Sequence, residues 1–265
     1  MFLNEPSHTS YDINFTIFGF DVRVHPAFFI MPLILGSSLL QGANAGMTLL
    51  TLVIVFFLSI LVHELGHAFA YRYYGQPARI VLYWMGGLAI ADGGSGLWAP
   101  RKTVSLNPQQ RIVVSAAGPA FGFLLAALLI ALVYALGGTV FWEREGILPM
   151  AVPVFEQNVN RAIRIFFFVG IWANIFFNIM NLAPVFPLDG GQIARQLFVM
   201  HDGFNGIRNS MMLSVIAGAA IAIFSLASGD RFLGFFFGFM AWSNYMTMQQ
   251  MGGGFGGGYG GGRPW

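Results

Sequence analysis

Residues 59–72 read SILVHELGHAFAYR, and three of them could do chemistry. His63 and His67 stand four apart, which on an α-helix puts both imidazoles on one face, one turn from each other. Two imidazoles so placed can grip one divalent cation. Glu64 follows His63 directly and can reach a water on that cation. The arrangement is H-E-x-x-H, two zinc ligands and a general base. The competing reading is that these histidines only cap neighbouring carbonyls. The setting speaks against it, because residues 49–62, LLTLVIVFFLSILV, carry no charge. Ionisable groups in hydrocarbon are costly and mark sites.

A catalytic zinc takes three protein ligands and keeps one position open. The chain has no cysteine, so the third ligand must be Asp, Glu or His. Asp189, in NIMNLAPVFPLDGGQIAR (178–195), is the best placed. It follows an apolar run, with Pro184 and Pro187 to break a helix and Gly190 and Gly191 to let the backbone turn sharply. Irregular backbone at membrane depth is tolerated where protein buries it or it lines a wet cavity. Asp189 capping a helix from Gly190 onward is the alternative. Asp92 and Asp202 are rival ligands in more polar loops. Asn174, Asn178 and Asn181 share one polar helix face, which either lines a water route to the metal or hydrogen-bonds to a neighbouring helix. Gly118 and Gly122, in SAAGPAFG (115–122), read as small-xxx-small packing with no chemical role. His25 and His201 read as interfacial histidines.

The elements that must hold these residues are those of a membrane protein. The 265 residues are 56% hydrophobic and 9% charged, with mean hydropathy +0.67, against about 25% charged in an ordinary soluble domain. The net charge is +2 and the basic residues are scattered, so nucleic-acid binding has no electrostatic footprint. The absence of cysteine excludes disulfides, iron–sulfur clusters and cysteine nucleophiles. The N-terminus has no basic n-region, so no cleavable signal peptide is expected. At about 20 apolar residues per span, six transmembrane helices are predicted, over roughly 26–41, 47–71, 110–137, 162–186, 209–228 and 231–248. Gly86-Gly87, flanked by IVLYWM and GLAIAD, predicts a β-hairpin between the second and third spans. Residues 101–106 predict a further strand, and 16–25 another ahead of the first helix. The fold class is therefore an α-helical polytopic membrane protein with a small β-sheet or hairpin. Its expected organisation is an N-terminal segment 1–25, a transmembrane core 26–248 with a membrane-associated hairpin about 78–106, and a flexible Gly-rich tail 249–265. With the N-terminus inside, nine Lys and Arg fall on inner segments and four on outer ones. That favours cytoplasmic N- and C-termini and places HELGH near the inner end of its helix.

Three stretches together resemble the site-2 proteases, the intramembrane zinc metalloproteases. HELGH (63–67) matches that family's HExxH. Asn181 through Gly190, NLAPVFPLDG, matches its N-x-x-P-x-x-x-x-D-G pattern. SAAGPAFG matches its glycine-bearing element. The resemblance covers about residues 15–245. It implies one Zn2+ per chain on His63, His67 and Asp189, Glu64 as base, and Asn181 holding substrate or oxyanion. It also implies a sheet edge beside the active site, able to take an unwound substrate segment as an added strand. The expected activity is hydrolysis of a peptide bond in or near a transmembrane segment of a membrane-anchored protein in a prokaryotic cell membrane, in regulated intramembrane proteolysis. Two alternatives remain: a membrane-embedded zinc peptidase acting on non-transmembrane peptides, and a non-enzymatic metal-binding transporter or scaffold. Glu64 argues against the last. Phe186 departs from the smaller residue or proline that many relatives carry there, which bears on the pocket and removes no ligand.

Overall fold

The computed structural model describes residues 5–35, 44–84, 86–91, 105–145, 148–156 and 159–253. Two compact units follow each other along the chain, Met1–Asn181 and Leu182–Trp265.

The first unit opens on a hairpin. The single strand predicted over 16–25 is two strands, β1 (Ile13–Ile17) and β2 (Phe20–Val24), paired antiparallel. The reason is the pair Phe18-Gly19, with φ of 51° and 77°. Two successive residues at positive φ make the tight turn that suits a two-residue hairpin. Strand β2 then pairs in parallel with β3 (Ala78–Tyr83), and β3 pairs antiparallel with β4 (Gly86–Ala91). The sheet order is β1-β2-β3-β4. Alternation assigns its two faces. Phe20, Val22, Val24, Ile80 and Leu82 form one apolar face, covered by Leu61, Leu65 and Ala68 of the HELGH helix. Arg23 and Arg79 belong to the opposite face, where Glu5 bridges them at 2.8 and 2.6 Å. Asp12 also holds Arg23, at 3.0 Å.

Among the described residues four helices are long and apolar enough to cross a membrane: α2 (Ala45–Tyr73), α3 (Pro108–Ala135), α4 (Arg161–Asn181) and α6 (Gly206–Ala227). They match four of the six expected spans. The first predicted span holds a 3₁₀ turn, Pro26–Phe29, and the six-residue helix α1 (Ile30–Leu35); its remaining residues lie outside those described. The sixth is a 23-residue helix, α7 (Arg231–Gly253), whose second half, SNYMTMQQ, dilutes its apolar run. The fourth stops at Asn181 rather than 186, because Pro184 cannot continue it. Helix α3 begins at a capping box: Asn107 accepts from the Gln110 amide while Gln110 accepts from that of Asn107. Between α3 and α4 runs a hairpin that the sequence analysis left without an element, β5 (Gly138–Glu145) paired with β6 (Leu148–Phe155). Pro153 sits within β6, and a two-stranded ribbon leaves each strand one open edge on which proline is tolerated. Of the strand predicted at 101–106, residues 101–104 lie outside those described, and 105–106 form no strand.

The second unit comprises α5 (Asp189–His201), α6 and α7. Helices α6 and α7 pack tightly. A Cβ on Gly218 would stand 3.2 Å from that of Ala241, and one on Gly234 would press the Leu226 side chain. Gly229, at φ 86°, turns the chain between them.

The Asp12 carboxyl is pulled from 3.8 down to about 2, chiefly by the Thr9 hydroxyl and, against the opposing effect of burial, by Arg23. A lowered carboxyl stabilises the fold fully above its unfolded pKa and loses that contribution as pH falls through its folded one. Amide protection of β1 and β2 is expected to weaken as pH drops from 3.8 toward about 2. Asp12→Asn should lose that step, as read by hydrogen exchange.

Candidate metal centre

In the first unit α2 carries His63, Glu64 and His67, all buried. The two rings stand edge to face, 4.9 Å between centroids. His67 Nδ1 lies 2.7 Å from the Val114 carbonyl, which can only accept, so this nitrogen bears the proton and donates. His63 Nδ1 lies 2.8 Å from Asn178 Oδ1. The Asn178 amide nitrogen donates to the Asn174 carbonyl, which leaves the amide oxygen facing His63 as acceptor. Both rings are therefore assigned as Nδ1–H tautomers, with lone pairs on the two Nε2 atoms. Those atoms are 3.2 Å apart. Two imidazole lone pairs at this distance repel each other, and a cation that both can ligate converts the repulsion into attraction. Metal-ligating histidines are oriented in the same way, through a hydrogen bond from the other ring nitrogen.

Glycines make this packing feasible. A Cβ on Gly118 of α3 would run into His67 Nε2 and reach the His63 ring, and a Cβ on Gly122 would collide with the Asn178 amide. The pair therefore holds space for the imidazoles and their partner, a role the small-xxx-small reading did not assign. Gly66 brings α2 against α3, since a Cβ there would strike the Ala117 carbonyl. A Cβ on Gly87 would strike the Glu64 carboxylate, so the backbone of β4 passes directly over the candidate base. Tyr83, at the end of β3, has its phenol pKa raised by burial first and by the Glu64 charge second. The asparagine face of α4 hydrogen-bonds to α2, through Asn178 and through Asn174, whose amide donates to Ser59 Oγ at 2.8 Å. Asn181 ends α4, one turn beyond Asn178.

In the second unit Asp189 is the first residue of α5 and is buried. The N-cap position belongs to Leu188, so Asp189 stands one residue inside the helix rather than at the cap position offered as its alternative. A carboxylate in a helix's first turn is favoured by the helix dipole. Gly190 and Gly191 are helical, which corrects the expectation of a sharp turn there. Their bareness makes room for the preceding loop: Cβ atoms would collide with the Leu182 and Val185 carbonyls respectively. That loop is pinned at Phe186. The Phe186 amide donates to Ser214 Oγ at 3.0 Å, and its carbonyl accepts from the Asn244 side chain at 2.6 Å. The Phe186–Pro187 bond is cis. Neither Ser214 nor Asn244 was singled out from the sequence, although both are buried polar groups in apolar helices. Of the rival ligands, Asp202 accepts from the amides of Phe204 and Asn205, and Asp92 lies outside the described residues.

Helices apolar enough to cross a membrane, a small sheet and a buried His-Glu-His trio together define a membrane metallopeptidase. Residues 51–225, well over half the chain, match peptidase family M50, and the protein belongs to that family. It is similar to a zinc metalloprotease of Methanocaldococcus jannaschii, with 24% identity over 217 residues, 81% of this chain and 52% of that one. The chain thus spans about half the length of that relative. Its fold is like that of the site-2 protease from Methanocaldococcus jannaschii, at TM-score 0.51 and 21% identity, covering 91% of this chain and 94% of the other.

Replacing Asn244 by Leu strands the Phe186 carbonyl. An orphaned buried acceptor costs about 1–3 kcal/mol, so Asn244→Leu is expected to lower the thermal midpoint in detergent, measured by circular dichroism, while Gln249→Leu at an exposed position leaves it unchanged.

Proposed function

We propose that the protein is an intramembrane zinc metalloendopeptidase that cuts a peptide bond in or near a transmembrane segment of a membrane-anchored protein. The observation that carries this is the facing pair of Nε2 atoms on α2, 3.2 Å apart, with Glu64 beside them. His63, His67 and Asp189 are the proposed ligands of one zinc, two imidazoles and a carboxylate with a position open for water. When bound, the zinc supplies Lewis acidity to a water and to the scissile carbonyl. Glu64 takes the proton of the attacking water and passes it to the leaving amine. Asn181 donates to the developing oxyanion. A substrate helix hides its amides in its own hydrogen bonds and must unwind before attack. Among the described residues β4 is an edge strand, and its Gly87 backbone lies against Glu64. A segment added to that edge would run extended past the base. The excess of inner-side Lys and Arg favours cytoplasmic termini and a site toward the cytoplasmic face.

Purified protein is expected to hold one zinc by elemental analysis, lost or weakened in Asp189→Ala. Glu64→Gln should keep the metal while cleavage of a transmembrane reporter drops by roughly 10²–10⁴. Unchanged metal content in Asp189→Ala would overturn the ligand set, and unchanged cleavage in Glu64→Gln would overturn the catalytic role. Preferential cleavage of a soluble peptide over the reporter would favour the non-transmembrane peptidase instead.

A further inference from the structure

We propose that Asn178 is the positioning residue of His63, setting its tautomer and the aim of its Nε2, and that Gly122 is the space that admits it. The inference rests on the metal centre proposed above and assigns it a partner that the H-E-x-x-H pattern does not contain.

Three features of the first unit carry it. The Asn178 amide is constrained from its own helix: its nitrogen donates to the Asn174 carbonyl one turn earlier, so its oxygen faces α2. That oxygen lies 2.8 Å from His63 Nδ1. An acceptor there requires a protonated Nδ1 and places the lone pair on Nε2, toward His67. Next, Asn178 does not depend on its own helix alone. Asn174 donates to the Gly170 carbonyl and to Ser59 Oγ, each at 2.8 Å. Ser59 and His63 are four apart on α2, as Asn174 and Asn178 are on α4. The two helices are thus tied at successive turns, and a rotation of α4 that moved Asn178 off the imidazole would break the Ser59 bond as well. Finally, any side chain at Gly122 of α3 would occupy the place of the Asn178 amide. Asn178 is nearly inaccessible, at 2% exposure, and all of these partners are internal.

An amide accepts the Nδ1 proton without the charge that a carboxylate would bring. Histidine ligands are commonly partnered by carboxylates, carbonyls or water, and loss of such a partner costs 10–100-fold in metal affinity.

The test measures two quantities on the full chain in detergent: zinc affinity by chelator competition, and the ¹⁵N signature of the His63 tautomer in metal-free protein, assigned by its loss in His63→Gln. Asn178→Leu is expected to bind zinc about 10–100-fold more weakly and to lose the preference for the Nδ1–H form. Gly122→Ala should do the same with the asparagine still present, which guards against a folding defect peculiar to the leucine. Asn178→Asp keeps an acceptor and should bind at least as tightly as the unaltered protein. If Asn178→Leu keeps both affinity and tautomer, the inference falls. If Asn178→Asp weakens binding as much as Asn178→Leu, Asn178 only ties helices together, and the inference also falls. If the unaltered protein binds no zinc, the metal centre itself is wrong, and the tautomer measurement alone decides the role of Asn178.

Discussion

Hydrocarbon offers no hydrogen bonds, so a polar side chain in an apolar helix must find its partner within the protein. In the first unit this requirement produces a chain of contacts from Ser59 to Asn174, through the backbone of α4 to Asn178, and on to His63. In the second it produces the clasp of Ser214 and Asn244 on Phe186. Apolar packing among Leu52, Val55, Phe56, Val169 and Ala173 joins α2 to α4, but packing of this kind is compatible with many small rotations. The directional bonds select one rotation, and thereby one aim for the imidazoles.

The same requirement explains where side chains are missing. A polar cluster can be enclosed only if the helices approach closely; Gly66 and Gly118 permit this between α2 and α3, and Gly122 between α3 and α4. Gly87 does the same for the sheet against Glu64. Their bareness is a matter of volume: none of the four takes a positive φ. Gly190 and Gly191 serve the second unit alike, by letting the proline-containing loop fold back on the first turn of α5.

The candidate chemistry was more legible than its supports. HELGH announces itself because its charges interrupt an apolar run, and Asp189 because prolines and glycines surround it. The long apolar runs that became α2, α3, α4 and α6 were legible for the same reason, length and lack of charge. What could not be read was pairing across distance. His63 and Asn178 are 115 residues apart, and nothing local distinguishes an asparagine that meets an imidazole from one that meets a carbonyl. At 231–248 composition alone does not separate a crossing from a more polar helix, and part of 26–41 lies outside the described residues. The β5–β6 ribbon escaped because its prolines argue against a strand, an argument that holds for a sheet interior and lapses at an open edge.

The parallel pairing of β2 with β3 has a consequence for assembly. The two strands lie side by side although the whole of α2 falls between them in the sequence. Strand β3 can therefore join β2 only after the histidine helix has been synthesised, so this ladder is never among the first contacts a growing chain makes.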